Sequence, residues 1–339
     1  KLWDRKGTLL HDFSIDRGLG TSFGPSIAFS PDDKTIAVGS NIVDRDKEKK
    51  VNTVTLWDLK GHRLIPSIKS GTPVYDVAFY DNDTLLSTTG GVILWNRKGQ
   101  VLHALRFPHS RAQTAAFSPD GEIVIGGDGE NNVFLWNRKG QLIHKIFENS
   151  FSYKITFSPD SKIFTTTAHT AVTLWNREGQ KIKTLSTSQG DVMSVIFSPD
   201  NRMLATASLD GTVKLWDLKG NLLNTLLGHR EGVENIAFSP DSKVIASAGD
   251  DGLIKLWSRE GELLTTLSGH QGKIYSVTFS PDGQTLASGS ADNTIILWNL
   301  KDLQQDSLMK NACNWVRSYL QNPNSQDIGK GDRTLCNGV

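Results

Sequence analysis

Tryptophan recurs along this chain at Trp3, Trp57, Trp95, Trp136, Trp175, Trp216, Trp257 and Trp298, and from Trp57 onward every interval is 38 to 41 residues. A fixed period of that length describes an array of like units, each burying its apolar face against the next, rather than one core grown outward. Each unit holds four short stretches, such as VENIAFSPDSK, VIASAGDDG, LIKLWSREG and ELLTTLSGH, in which apolar and polar residues alternate between turn signals. Alternation at period two is the mark of a half-buried strand, so the unit predicts four strands. The turns agree with that count. Ser-Pro-Asp recurs as SPDG, SPDS and SPDN, where proline presets φ and the Ser and Asp side chains bond local backbone. RKGQ, REGE and LKGN place glycine where a hairpin needs positive φ.

Four strands in a unit near 41 residues match the size of a β-propeller blade. The residues GH, SPDG, LASGS, ADNT and LWN carry a resemblance: over roughly residues 1–300 the chain is similar to the WD-repeat (WD40) family, most specifically in its last two units. Phe29, Phe79, Phe117, Phe157, Phe197, Phe238 and Phe279 mark seven innermost strands. The expected fold is all-β, a seven-bladed propeller of four-stranded antiparallel blades over residues 1–300, with a short helical tail over 301–339. The last blade ends at its third strand, IILWN, so a strand at about residues 8–13 is expected to complete it and close the ring. An eight-bladed ring lacking two strands is the alternative.

Charge narrows the partners. Lys and Arg number 37 against 36 Asp and Glu, a formal charge of +1, which gives no field to hold nucleic acid or an anionic membrane. No apolar run of about 18 residues occurs, and KLWDRKG has no signal-peptide layout; a cytoplasmic protein is expected. The chain opens on lysine inside a copy of the repeated phrase, so covalently joined upstream domains are expected as well. Cys313 and Cys336 lie in the tail without metal-binding or disulfide spacing. His11, His62, His103, His109, His144 and His169 fall in different repeats, and GGDGENN lacks the lysine of a phosphate-binding loop. The sequence calls for no metal and no cofactor.

His229, Ser247 and Asp251 are the ingredients of a hydrolase, and His270, Ser288 and Asp292 repeat them in the next unit. An active site has no reason to occur twice in adjacent repeats, whereas a device that pins a loop to its strands does. The family resemblance implies that reading: a histidine 28 residues, a serine ten and an aspartate six before the tryptophan form a hydrogen-bonded tetrad with the indole, offsets met by the sets ending at Trp257 and Trp298. The preceding unit keeps Thr206, Asp210 and Trp216 but has Ser188 in the histidine position.

The resemblance also implies that partners contact the upper rim, three and five residues after the GH histidine and just before the turn aspartate. Carried onto this chain, those positions are Lys273, Tyr275 and Ala291, then Gly232, Glu234 and Asp250. Alignment on the phenylalanines adds Asp191, Met193 and Leu209, Phe151 and Tyr153, Arg111 and Gln113, Tyr75, and Phe23. Aromatics, a methionine and mixed charge are the composition of a protein-binding surface. In the first unit SNIVDRDKEKKVNTVTLW inserts extra residues between the second and third strands, expected to extend as a flexible loop over the same face, a solvated hairpin tip rather than a partner-specific contact. In the tail, Leu308, Ala312, Trp315, Val316, Tyr319 and Leu320 fall at helical spacing, which predicts an amphipathic helix at about 306–321 ended by Asn322-Pro323. NACNWVRSYLQNP with DRTLC also resembles the ends of large bacterial WD-repeat signalling proteins. The expected function is a non-catalytic platform for a protein or peptide partner, the recognition or scaffold module of a larger signalling protein. The rival is a propeller-scaffold enzyme, a hydrolase or lyase, with Asp191, Glu234, Lys273 and Arg111 at the mouth of the central channel.

Overall fold

The computed structural model describes residues 2–3, 9–11, 26–44, 49–70, 72–107, 112–128, 130, 132–147, 154–187 and 190–301, with backbone alone at 2–3, 9–11, 42–44, 49–51 and 113. Every regular element in it is a strand, apart from a helical start at Leu300 and Lys301. Successive antiparallel hairpins build six four-stranded sheets, spanning 26–70, 76–105, 112–147, 155–186, 192–226 and 233–268. A seventh, three-stranded sheet follows, made of Ile274–Phe279, Thr285–Ser290 and Ile295–Asn299. The first strand of each sheet ends on one of the marker phenylalanines.

The turn chemistry does what the sequence requires of it. At Ser118-Pro119-Asp120 the serine hydroxyl donates to Asp120 (2.6 Å) and accepts from the Ile123 N–H (3.0 Å). The same pattern recurs at Ser158, Ser198, Ser239 and Ser280. Between the third and fourth strands a bulge at the tryptophan resets the register, so that Trp257 faces Leu263 while Leu256 faces Thr265.

Packing links each sheet to the next. Met203, Ala205, Val213 and Leu226 of sheet five enclose Ile236, Phe238, Ile245 and Trp257 of sheet six in one core cluster. Equivalent clusters join every other consecutive pair from sheet one to sheet seven. Ile254 (0% exposed) and Leu256 (5%) of sheet six are sealed in this way by sheet seven.

The two ends of the array are different. In sheet seven Ile295 and Leu297, the counterparts of Ile254 and Leu256, are 56% and 38% exposed, and in sheet one Ile27 and Phe29 are 57% and 50% exposed. The expected closure by a strand near residues 8–13 is not what the structure holds: Leu9–His11 pairs with Leu2–Trp3, and sheet seven remains three-stranded among the described residues. The physical reason is proximity. Closing a turn of a few residues costs much less chain entropy than spanning the whole array, and LWDRKGTLLH has the composition of every outer hairpin here. Its register, Trp3 on Leu9 and Leu2 on His11, repeats that of Trp136 on Leu142 and Leu135 on His144.

The insertion in sheet one is also not the expected loop. Thr35–Asp44 and Lys49–Asp58 remain paired out to Asp44 and Lys49 as a long hairpin, because the alternating β-formers on both arms continue the ladder and Ser40 bonds Thr53 across it at 2.8 Å. The predicted helix at 306–321, with Cys313 and Cys336, lies outside the described residues.

Candidate functional site

The indole N–H groups of Trp57, Trp95, Trp175, Trp216, Trp257 and Trp298 each donate to a Ser or Thr hydroxyl, and in sheets six and seven that hydroxyl belongs to a longer chain. Trp257 Nε1 donates to Ser247 Oγ (2.8 Å), Ser247 Oγ lies 2.8 Å from His229 Nε2, and His229 Nδ1 lies 3.0 Å from Asp251 Oδ1. In sheet seven Trp298 donates to Ser288 (2.9 Å), Ser288 bonds His270 (2.8 Å), and His270 bonds Asp292 (2.9 Å). Asp251 and Asp292 also accept the backbone N–H of Arg230 and Gln271, so each aspartate ties the turn below it to the loop above. Burial pushes the His229 imidazole below its ordinary pKa, against the opposing pull of Asp251. A neutral ring then donates from Nδ1 to the carboxylate and accepts the serine hydrogen at Nε2. Thr294 is the largest influence holding the Asp292 carboxyl well below the usual carboxylate range, helped by the Gln271 N–H and His270.

These Ser-His-Asp sets have the bond order of a hydrolase triad and none of its access. Ser247 is 0% and Ser288 2% exposed, and both oxygens already accept an indole hydrogen. Sheet five keeps only part of the device: Trp216 donates to Thr206 (3.1 Å), while Asp210 turns to Thr212, and Ser188 lies outside the described residues. In sheet four Trp175 donates to Thr166, and His169 instead meets Asp191 at 3.2 Å with both side chains about half exposed.

The rim positions fall into two groups. Phe23, Arg111, Phe151 and Tyr153 lie outside the described residues, as does the side chain of Gln113. The rest form a surface above sheets four to seven, with Tyr75 half-buried farther round on sheet two. Tyr275 (56% exposed), Leu209 (42%) and Met193 (36%) supply open apolar area, while Gly232 is buried beneath Leu209. Between them stands a charged group: Lys273 is ion-paired to Asp250, and burial, then the neighbouring Asp250, raises the Glu234 carboxyl above its ordinary value. The Asp250 bond is the leading influence raising Lys273. Asp250 N–H donates to Gly232 O within sheet six and Ala291 N–H to Lys273 O within sheet seven, so backbone locks the rim of each sheet while the Lys273–Asp250 pair joins the two. The four residues named for an enzyme have separate partners where they are described. Asp191 is engaged with His169, Glu234 and Lys273 gather on Asp250, and Arg111 is outside the described residues.

Sequence reasoning missed an inner polar belt. Three residues before each marker phenylalanine stand Ser26, Asp76, Thr114, Lys154, Ser194, Asn235 and Ser276. Ser26 Oγ donates to Asp76 at 2.7 Å across two sheets, and Asn235 accepts the Val277 N–H at 3.2 Å across the next interface. Burial raises Asp76 and lowers Lys154, and the two charges act on each other in the opposite sense. The regular offset from phenylalanine was the available signal. Among the described residues no group of three His, Cys, Asp or Glu side chains could hold a metal ion, and no helix is long and apolar enough to cross a membrane.

The family model described as IFT122 first beta-propeller matches residues 1–258, and the WD domain, G-beta repeat model matches residues 261–299. No curated protein matches the chain. Neither family match supports the link to large bacterial WD-repeat proteins drawn from the tail. With sheet after sheet of the same four-stranded plan and a matching model over most of its length, the chain belongs to the WD40-type β-propeller family represented by the IFT122 first beta-propeller.

Proposed function

We propose that the chain is a non-catalytic platform that binds a protein or peptide across the upper rim of a seven-bladed propeller. The observation that carries this reading is the exposed Tyr275, Leu209 and Met193 set around the Glu234, Asp250 and Lys273 group, beside the loops that the tetrads of sheets six and seven tie down. Propellers of this family generally mediate protein–protein interactions, and an apolar centre with charged neighbours on a rigid base needs little reordering on association. The setting we propose is cytoplasmic, as the recognition module of a larger signalling protein. Two cysteines in 339 residues suit a fold held by packing rather than disulfides. The enzyme alternative has less behind it: Asp191 bonds His169, while Glu234 and Lys273 gather on Asp250.

The test is a pull-down from native extract with the wild-type chain and with Tyr275→Ala, alone and combined with Tyr153→Ala, followed by titration of the captured partner. The expected result is one specific protein lost with the variants, a drop in affinity of more than about 1 kcal/mol, and an unchanged melting temperature. Capture of the same protein at equal affinity by the double variant would overturn the assignment of the rim.

A further inference from the structure

Along the array, the underside of each fourth strand is covered by the sheet that follows. The residue eight places after the tryptophan, at Ile65, His103, His144, Lys183 and Asn224, lies beneath an outer-turn glycine of the next sheet, at Gly99, Gly140, Gly179, Gly220 and Gly261. The approach leaves no room for a Cβ, and all five glycines have φ between 75° and 97°. Beside four of these turns an arginine reaches back to the Ser-Pro-Asp or equivalent turn of the preceding sheet: Arg97 to Asp32, Arg138 to Asp81, Arg177 to Asp120 and Arg259 to Asp200.

Sheet six presents the same two positions, Thr265 and Asp241, and sheet seven supplies neither cover. At the arginine position stands Leu300. Its N–H donates to Gln284 O at 2.9 Å, the bond that Arg138 makes to Glu122 and Arg259 to Lys243 at 3.0 Å. At the glycine position stands Asp302, the first residue past the described array. The interface that is filled elsewhere is here a cavity of about 450 Å³, lined by Leu256, Leu264, Phe279 and Leu300 together with Thr265 and Asp241.

We infer that this cavity seats the chain's own C-terminal segment, residues 302–320, through the apolar stripe that begins at Leu308. Leu300 lines the cavity, and the sequence continues for 38 residues beyond Lys301. The covalent connection makes docking intramolecular, at an effective concentration of the order of millimolar. An extended stretch from Lys301 to Leu308 spans at most about 25 Å, so the stripe reaches the cavity without strain. The chemistry matches too: the lining is mainly apolar, and Leu308, Ala312, Trp315, Val316, Tyr319 and Leu320 recur at the spacing that puts one apolar side on a helix. Sheet five also has a leucine, Leu218, at the arginine position but keeps Gly220 as its cover; at sheet seven an apolar plug on the Leu300 floor takes the place of that turn.

Hydrogen exchange of the full chain, read by mass spectrometry, tests this against Leu264→Arg and Thr265→Trp. Leu264 is 52% exposed, so the arginine spoils the cavity wall without opening the core, and unchanged exchange in Leu253–Ser258 verifies that sheet six is intact. The expected result is protection of residues 308–320 in the wild type and at least tenfold faster exchange there in both variants. A segment that exchanges at the unprotected rate in the wild type, or whose protection survives both substitutions, overturns the inference. Protection that rises with protein concentration assigns the cavity to the tail of a second copy and overturns it equally.

Discussion

The imidazole of His229 joins a serine and an aspartate at 2.8 and 3.0 Å with its own side chain 1% exposed, and that combination gives stability a pH dependence of known sign. In the unfolded chain the ring titrates near 6.5; burial lowers it in the fold. Between those values the unfolded state holds more protons, so stability rises with pH through the window and falls on acidification below about 6.5. Melting temperatures taken between about pH 7.5 and 5.5 should therefore fall, and His229→Gln, though less stable throughout, should show a flatter decline; parallel curves would place the titration elsewhere. Trp257 acts through packing. It is 3% exposed inside the cluster joining sheets five and six, so Trp257→Ala should cost about 3–5 kcal/mol in urea unfolding. A loss below about 1 kcal/mol would contradict its place between the sheets.

The loops differ in how many bonds hold them, and exchange should rank them accordingly. Asp251 and Asp292 each join turn, loop and strand through a histidine, whereas the unit of Asp210 has Ser188 in the histidine position. Amides of the loop at Asp250–Gly252 should exchange several-fold more slowly than those at Leu209–Gly211; the reverse order would deny the tetrads any restraining role. Strands, turns and tetrads were legible from the sequence because each depends on residues within one repeat: alternation, Ser-Pro-Asp, a tryptophan with fixed offsets. The hairpin tip in sheet one was legible but its paired length was not, because the charges Asp44 to Lys50 masked the alternation on its arms. The inner belt escaped notice because Ser26 meets Asp76 only when two sheets stand side by side. No pattern inside either repeat announces that contact.

At the scale of the whole molecule, what the sequence could not convey is how the array ends, since that depends on the relation between its first and last sheets. Local rules made sheet seven look like sheet six, yet Leu297 is 38% exposed where Leu256 is 5%. Each interior sheet is sealed by a successor that brings its own first strand, tryptophan and outer turn, while Ile295 and Leu297 of sheet seven and Ile27 and Phe29 of sheet one stay exposed at the two ends of the array, where a closing seam would lie. The two leucines occupy equivalent places, one residue before Trp298 and Trp257, so a matched pair of substitutions measures the seam itself. With the seam as it stands, Leu256→Asp buries an unpaired charge and should cost at least about 3 kcal/mol, whereas Leu297→Asp places its carboxylate in water and should cost less than about 1 kcal/mol. Equal losses in chemical denaturation would mean that sheet seven is sealed in solution, by sheet one or by the N-terminal hairpin whose register copies an outer half-blade. The difference between the two variants thus reads out closure without reference to any partner.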